Sequence, residues 1–223
     1  MYKLDEIDGI VFDMDGVIFD TEQLGLRCWK IVGDRHGLEN MEETVRKCIG
    51  TSSKDTKRIM NEAYGKLVDF EELYAESRTV IRETFEKEGI PLKNGAPQVV
   101  RWLHDKGVKV GLASSTNYET VIREMKEVGL IDCFEVIIGG DMVENSKPEP
   151  DIYRIACEKL GVRPENTLAV EDSLNGIRAA YGAGMIPVLI PDLIEPTDEM
   201  LEKAYVKLDN ISQLKAGLSE DGI

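Results

Sequence analysis

The sequence predicts an open α/β fold, in which a parallel sheet is covered by helices on both faces. Short apolar runs alternate with amphipathic stretches from about residue 95 onward. Polar and apolar residues do not alternate within these runs, which is typical of strands that are buried on both faces. A long charged stretch without any strand pattern follows the first apolar run directly and indicates an inserted helical domain.

Six short apolar runs are predicted strands, and helix signals lie between several of them. Asn117 can cap a helix that ends at Gly129. Pro150 suits the first turn of the next helix, and Gly161 ends it. The predicted strands are residues 9–12, 108–113, 136–138, 167–170, 185–190 and the weaker 205–208.

The charged stretch divides the chain into two parts. We expect residues 20–91 to form a small helical domain, and residues 1–19 and 92–223 to form the α/β core. The segment 91–95, with the sequence Pro-Leu-Lys-Asn-Gly, suits the linker that returns the chain to the core. Because two linkers would cross at one place, we expect a hinge that lets the inserted domain close and open.

The chain carries a large excess of negative charge. Its 223 residues include 27 Lys and Arg against 42 Asp and Glu, so the net charge is −15 and the isoelectric point is about 4.7. Such an acidic surface repels nucleic-acid phosphates and anionic lipids, which excludes a general nucleic-acid or membrane binder. We expect most of this charge to serve solubility.

No pattern for export, membrane insertion or zinc binding is visible. The first six residues lack the basic and apolar segments of a signal peptide, and no apolar run reaches the ~18 residues of a membrane span. We therefore expect a cytoplasmic protein. The four cysteines are scattered without a CxxC pair, which favours buried free thiols over a zinc site.

Polar residues stand at the carboxyl ends of separate predicted strands. Asp13 follows the first strand, Ser114 the second, and Lys147 lies beyond the third. Glu171 and Asp172 follow the fourth strand. Each residue alone suits a turn or a helix cap, but in open α/β sheets ligands bind at this edge. Their joint occurrence predicts a binding or catalytic site there.

The carboxylates of this edge need compensating positive charge. Asp13 and Asp15 are two residues apart, so their side chains point to one face of an extended segment, and Gly16 permits a tight turn after them. With Glu171 and Asp172, up to four carboxylates converge. Such a group favours a hard divalent cation, and Mg²⁺ suits a site that also accepts phosphate. Alternatively, one carboxyl stays protonated and serves as a general acid.

Four segments resemble the motifs of a known family. Residues 11–17, 112–115, 146–150 and 170–173 resemble, in order, the four motifs of the haloacid dehalogenase-like hydrolase superfamily. The similarity covers nearly the whole chain and implies a Rossmann-like core with an inserted helical cap. The branch that the chain resembles most contains small bacterial sugar-phosphate phosphatases and β-phosphoglucomutase-like proteins.

The resemblance implies a chemical role for each motif residue. Asp13 would be the nucleophile that becomes an aspartyl-phosphate, and Asp15 would protonate the leaving oxygen and then activate water. Asp13, the backbone carbonyl of Asp15, and Asp172 would bind Mg²⁺, with Glu171 close by. An acid at position 15 favours phosphate esters over haloacids, because an alkoxide leaving group needs a proton and a halide does not.

The resemblance also implies the substrate contacts. Ser114 and Lys147 would hold the phosphoryl oxygens, and Ser115 belongs to the same motif. Asn117 is either a helix cap or a further part of this phosphate-binding loop. Glu22 is either a favourable first-turn residue of a helix or a substrate contact.

Two departures from the β-phosphoglucomutase pattern concern the cap. Gly25 stands where those mutases carry a histidine, and Ser53 followed by Lys54 stands where they carry an arginine. We therefore expect a Mg²⁺-dependent phosphatase of a small phosphorylated metabolite such as a sugar phosphate. A mutase and a non-catalytic phosphometabolite-binding protein are the alternatives. We expect a monomer or a weak homodimer that binds neither nucleic acid nor membrane.

Overall fold

The structure is a computed structural model that describes residues 3–49, 51 and 53–218. Two compact units make up the chain. The first comprises Met1–Phe19 and Leu92–Ile223, and the second comprises Asp20–Pro91.

A six-stranded parallel sheet forms the centre of the first unit, which confirms the predicted fold class. The strand order is β3-β2-β1-β4-β5-β6, so strands on both sides of β1 follow it along the chain. The strands are β1 (Gly9–Phe12), β2 (Lys109–Ala113), β3 (Val136–Ile138), β4 (Thr167–Glu171), β5 (Ile186–Leu189) and β6 (Val206–Lys207).

Strands β2 and β5 begin one residue later than the sequence predicts. The backbone N–H of Val108 donates to Leu103 O at 3.1 Å, and that of Met185 donates to Ala180 O at 3.1 Å. In both cases the acceptor belongs to the preceding helix. The first apolar residue of each run therefore closes that helix instead of joining the sheet.

The second unit is helical, and no strand occurs among its described residues. In its longest helix, Asp69 Oδ1 accepts from the backbone N–H of Glu71 at 2.8 Å, and Gly89 ends the helix with φ +78°. The helices are α1 (Thr21–His36), α2 (Met41–Arg46), α3 (Ser53–Tyr64) and α4 (Phe70–Glu88).

Side-chain caps or a glycine mark one end of each of three helices of the first unit, and two of these residues, Asn117 and Gly161, are the ones that the sequence predicts. Asn117 accepts the backbone N–H of Glu119 and caps one helix, and Ser173 accepts that of Gly176 and caps another. Gly161 ends a third, with φ +62°. These helices are α5 (Ala96–Asp105), α6 (Tyr118–Glu127), α7 (Asp151–Leu160), α8 (Leu174–Gly182), α9 (Asp198–Lys203) and α10 (Ser212–Leu218).

The core of the first unit surrounds strand β1. The consecutive residues Ile10, Val11 and Phe12 are all fully buried, so both faces of the sheet are covered. On one face, Val11 packs in a cluster with Ala156 of α7 and Ala180 of α8. Small residues on these two helices let their backbones approach the sheet and bring α7 and α8 close to the strand ends.

Two further sequence predictions concern the whole chain. No helix in the described part of the chain has both the length and the apolar character needed to cross a membrane. The cysteines are free thiols, as predicted. Cys28, Cys133 and Cys157 are buried, and Cys48 is half-buried.

Candidate active site

The parallel sheet brings the predicted polar residues to one edge. Asp13 directly follows β1, and Ser114 directly follows the neighbouring strand β2. Glu171 ends β4, on the other side of β1, and Asp172 comes next. Carboxylate oxygens of Asp13, Glu171 and Asp172 lie within 4.8 Å of one another. Three of the four predicted carboxylates therefore form one cluster.

Two glycines make room for this cluster. Gly16 has φ +79°, and a Cβ there would lie 2.1 Å from Asp172 Oδ2. A Cβ on Gly176, in the first turn of α8, would lie 1.9 Å from Glu171 Oε2. Because real Cβ atoms do not approach other atoms this closely, any larger residue would displace an acidic side chain. The turn after β1 and the start of α8 therefore require glycine.

Lys147 provides the positive charge next to the cluster. Its buried ammonium donates to Asp13 Oδ1 at 2.6 Å, to Glu171 Oε1 at 2.6 Å and to Ala113 O at 3.0 Å. Burial alone would lower the pKa of Lys147, but the carboxylates of Asp13 and Glu171 outweigh burial and raise it above its ordinary value. Lys147 is therefore a permanent cation that links the ends of three strands, β1, β2 and β4.

One lysine does not neutralise three carboxylates. Burial raises the pKa of Asp13 from 3.8 to about 7; the charge of Lys147 opposes this shift, and Glu171 and Asp15 add to it. Without further positive charge, Asp13 is partly protonated near neutral pH. The three clustered carboxylates offer the hard oxygen ligands that Mg²⁺ prefers. Their chemistry therefore fits a divalent cation.

Asp15 lies outside the three-carboxylate cluster of the described residues. Its Oδ2 accepts the Oγ1 hydroxyl of Thr116 at 3.2 Å, so its half-buried side chain connects the loop after β1 to the loop after β2. The resemblance assigns only the backbone carbonyl of Asp15 to the metal. Its side chain is therefore available for the acid–base role that the resemblance implies.

The loop after β2 holds the remaining motif residues. Ser114 is buried, and its Oγ accepts the backbone N–H of Thr116 at 3.0 Å, a contact that does not use the hydroxyl proton. Ser115 is exposed. The Ser114 hydroxyl is thus oriented beside Asp13's strand, with a proton available for donation.

Asn117 has the role of a helix cap. Its Oδ1 accepts the backbone N–H of Glu119 at 3.1 Å, and its Nδ2 donates to Asp141 Oδ2 at 2.8 Å. The other oxygen of Asp141 accepts the backbone N–H of Tyr118 at 2.7 Å. Asp141 therefore organises this loop, and a phosphate contact of Asn117 stays a prediction.

The predicted cap residues lie in the helical unit. Glu22 is in the first turn of α1, where its negative charge interacts favourably with the positive end of the helix dipole. Gly25 lies inside the same helix, and apart from its chain neighbours and that helix's own backbone, no described atom lies within 4 Å of the place that its Cβ would take. The side chain of Ser53 lies outside the described residues. A substrate contact by Glu22 stays a prediction.

Sequence reasoning missed two contacts of this site. The hydroxyl of Tyr153, on α7, donates to Glu171 Oε1 at 2.6 Å, and Thr116 donates to Asp15. Burial, and then Glu171 and Asp13, raise the pKa of Tyr153 well above its ordinary value, so this hydroxyl keeps its proton. The available signal was the tyrosine on an apolar helix face, because a buried tyrosine hydroxyl needs a partner.

Known proteins are similar to this chain in sequence and in fold. Residues 10–190 match the family of haloacid dehalogenase-like hydrolases. YhcW of Bacillus subtilis is 35% identical over 216 residues, which are 96% of this chain and 97% of that protein. The phosphorylated carbohydrates phosphatase of Thermotoga maritima is 30% identical over 183 residues, which are 80% of this chain and 82% of that protein.

A solved structure agrees over nearly the whole chain. It is a variant of CbbY from Rhodobacter sphaeroides in complex with xylulose-(1,5)bisphosphate, 28% identical in sequence, with a TM-score of 0.79. The match covers 96% of this chain and 99% of that one. Fold, site and relatives together define the class of this protein as a phosphatase. The chain belongs to the family of haloacid dehalogenase-like hydrolases, in its capped branch.

Proposed function

We propose that the protein is a Mg²⁺-dependent phosphomonoesterase that works through an aspartyl-phosphate on Asp13. The observation that carries this proposal is the position of the Asp13 carboxylate, which lies 2.6 Å from the Lys147 ammonium and within 4.8 Å of Glu171 and Asp172. A phosphoryl group needs neutralisation of its charge more than any other assistance. This strand end combines a carboxylate nucleophile with that neutralisation.

Asp13, Asp172 and Glu171 would hold the Mg²⁺, together with the backbone carbonyl of Asp15. The bound ion would offset the charge of the carboxylates and of the phosphoryl oxygens. The clustering of three carboxylates around one point supports this assignment. The raised pKa of Asp13, which burial causes, supports it as well, because Lys147 alone does not compensate a buried anion that lies among further carboxylates.

The chain's own residues account for both half-reactions. In the first, a carboxylate oxygen of Asp13 attacks phosphorus, the ester P–O bond breaks, and Asp15 gives its proton to the leaving alkoxide. In the second, Asp15 takes a proton from a water molecule while the water oxygen attacks phosphorus. The bond between phosphorus and the carboxylate oxygen of Asp13 then breaks. Inorganic phosphate leaves and Asp15 is protonated again, so each group returns to its starting state.

Lys147 and Ser114 orient the phosphoryl group during both steps. The ammonium of Lys147 remains charged throughout, and the Ser114 hydroxyl can donate to a phosphoryl oxygen. Lys147 donates to Asp13 and Glu171 in the present arrangement, so we expect a phosphoryl oxygen to share this ammonium with the carboxylates. Ser115, Asn117 and Glu22 complete the proposed substrate contacts.

We place the substrate among small phosphorylated metabolites such as sugar phosphates. The name of the Thermotoga relative and the bisphosphate in the CbbY complex both support this class. The helical unit, residues 20–91, would act as the cap that selects the substrate. Gly25 and Ser53–Lys54 stand where the mutase pattern has a histidine and an arginine. This difference favours transfer of the phosphoryl group to water over its transfer to a second hydroxyl of the sugar. The cytoplasmic location and the monomeric or weakly dimeric state remain predictions.

A substrate panel tests the proposal. We expect Mg²⁺-dependent phosphate release from p-nitrophenyl phosphate and from at least one sugar phosphate, abolished by EDTA and by Asp13→Asn. Absence of phosphate release across a broad panel would overturn the phosphatase. Conversion of β-glucose 1-phosphate into glucose 6-phosphate faster than phosphate release would identify a mutase instead, and binding without turnover would identify a non-catalytic binder.

A further inference from the structure

Tyr153 contacts Glu171 of the candidate site, although none of the four motifs assigns it a role. It lies on α7, fully buried, and its hydroxyl donates to Glu171 Oε1 at 2.6 Å. The same oxygen accepts the Lys147 ammonium at 2.6 Å. A single carboxylate oxygen therefore receives two short hydrogen bonds, one from a cation and one from a neutral hydroxyl.

The rest of the Glu171 carboxylate is also held. Its Oε2 accepts the backbone N–H of Asp172 at 3.3 Å and the hydroxyl of Ser173 at 3.2 Å. A Cβ on Gly176 would lie 1.9 Å from Oε2, so the carboxylate rests directly on the first turn of α8. Of these neutral donors, Tyr153 makes the shortest contact. It lies on α7, whereas the other two donors directly follow Glu171 in the chain.

The ring of Tyr153 also contacts Lys147. The ammonium of Lys147 and the hydroxyl of Tyr153 donate to the same oxygen of Glu171. The Lys147 ammonium lies 5.0 Å from the ring centroid, within the range of a cation–π contact. Lys147 also donates to Asp13, the candidate nucleophile, at 2.6 Å. Without the Tyr153 hydroxyl, Glu171 Oε1 would depend on Lys147 alone and would draw the ammonium away from Asp13.

We propose that Tyr153 is a positioning residue: its hydroxyl fixes the Glu171 carboxylate beside Asp13 and Asp172 and keeps Lys147 shared between Asp13 and Glu171. Its catalytic consequence rests on the proposed function, whereas its effect on the carboxylate cluster does not. The hydroxyl acts through Glu171 and does not itself contact the reacting phosphoryl group. Partners that orient the ligands of a metal typically change metal affinity or activity 10- to 100-fold when removed.

The substitution Tyr153→Phe removes the hydroxyl and keeps the ring. The matched control is Tyr64→Phe, which removes a buried hydroxyl that donates to Glu39 O at 2.8 Å in the helical unit. Binding of Mn²⁺ to each protein is measured by electron paramagnetic resonance without substrate, and melting is measured in EDTA. The Tyr64 hydroxyl also lies 3.0 Å from Thr44 Oγ1, so the control loses at least as much hydrogen bonding as Tyr153→Phe does, and melting reports this structural cost.

We expect Tyr153→Phe to raise the Kd for Mn²⁺ about 10-fold and to lower kcat by about the same factor, with KM changed less than about twofold. Tyr64→Phe should leave Kd and kcat unchanged while it lowers the melting temperature similarly. A Kd in Tyr153→Phe equal to that of the parent would overturn the proposal, as would a parent that binds no Mn²⁺. If the parent binds Mn²⁺ but hydrolyses no phosphate ester, only the proposed function fails.

A second pair of variants tests whether Tyr153 acts through Glu171. In the Glu171→Gln background, we expect Tyr153→Phe to change the Kd for Mn²⁺ less than about twofold, because the acceptor that it positions is no longer a carboxylate. A further 10-fold loss in that background would overturn the positioning role, since the two effects would then be independent.

Discussion

Asp8 and Asp13 flank the same strand and show how position changes the chemistry of a carboxylate. Asp8 precedes β1 at the amino edge of the sheet, where the guanidinium of Arg163 donates to it at 2.8 Å and lowers its pKa to about 2. Asp13 follows β1 at the carboxyl edge, where burial raises its pKa to about 7 despite the neighbouring Lys147. Among the described residues, each aspartate pairs with one cationic side chain, but the buried aspartate lies among further carboxylates.

The two edges therefore teach that an ion pair by itself does not make a site. At the amino edge the pair is partly exposed to solvent, and Asp8 is a stable anion because its pKa is low. At the carboxyl edge, burial together with Glu171 and Asp172 leaves charge that one lysine cannot balance. The unbalanced edge is the one suited to a metal ion and a phosphoryl group.

The largest expected difference between the edges is catalytic. Asp13→Asn should lower kcat for p-nitrophenyl phosphate at least about 1,000-fold, because it removes the proposed nucleophile. Asp8→Asn makes the same chemical change about 16 Å away along β1, at ~3.3 Å per residue, and should leave kcat within twofold of the parent. Phosphate release measures both variants, and equal losses in the two would contradict the comparison.

The lysine at the carboxyl edge gives the next largest effect. Lys147→Met should lower kcat about 100-fold, because it removes a donor to the phosphoryl oxygens. It should also destabilise the metal-free protein by about 3–5 kcal/mol, because it leaves buried carboxylates unpaired. Arg163→Met removes the exposed partner of Asp8 and should leave kcat unchanged and cost much less stability than Lys147→Met, because exposed ion pairs contribute little. Kinetics and urea unfolding in EDTA distinguish the two, and a stable, active Lys147→Met would refute this part of the account.

Two glycines are expected to show a smaller effect, but they separate backbone strain from displacement of a proposed metal ligand. Gly16 and Gly107 both have positive φ, but a Cβ on Gly16 would collide with Asp172, whereas one on Gly107 would meet no atom within 4 Å. Both alanine variants should lose about 1 kcal/mol or more from backbone strain. Only Gly16→Ala should also weaken Mn²⁺ binding, by about 10-fold, because it displaces Asp172. Calorimetric titration that finds equal affinities in both variants would contradict this reading of the turn.

The pH dependence of stability gives the smallest effect. In EDTA, the raised pKa of folded Asp13 means that it keeps its proton at pH values where the unfolded chain, with a pKa near 3.8, has lost it. Its contribution to stability is therefore complete below about pH 4 and disappears as the pH rises through about 7. Asp8 behaves in the opposite way: its contribution is present above about pH 4 and is lost as the pH falls through about 2.

We measure this as a difference in melting temperature between the parent and each variant. The difference between the parent and Asp13→Asn should fall by several degrees from about pH 4 to about pH 8. The difference between the parent and Asp8→Asn should stay flat over that range. A flat difference for Asp13→Asn would show that its pKa is not raised in the folded protein.

The sequence was sufficient to predict the fold and the edge at which the candidate residues meet. Runs buried on both faces indicate parallel strands, and parallel strands bring Asp13, Ser114 and Glu171 together at their carboxyl ends whatever the details of packing. Lys147 lies beyond the third strand in a loop, and its four-carbon stem reaches the cluster. These predictions depend on local pattern and topology, both of which are visible in the sequence.

Contacts that depend on how a helix packs could not be predicted in the same way. Tyr153 lies on the apolar face of α7, so core packing alone accounts for its ring. Only the placement of α7 against β2 and β3 of the sheet brings its hydroxyl to Glu171 at the end of β4. Likewise, Thr116 reaches Asp15 through the conformation of a loop. For Glu22 and Gly25, the sequence predicts the helix on which they lie but does not predict which groups they contact.

Acid-quenched enzyme tests the central claim most directly. Protein stopped with acid during turnover of p-nitrophenyl phosphate, then digested and analysed by mass spectrometry, should carry one phosphoryl group on the peptide that contains Asp13. Because that peptide can also contain Asp8 and Asp15, fragmentation must place the group on Asp13, and Asp8→Asn should keep it whereas Asp13→Asn loses it. A phosphoryl group on any other residue, or active enzyme that never carries one, would contradict the account.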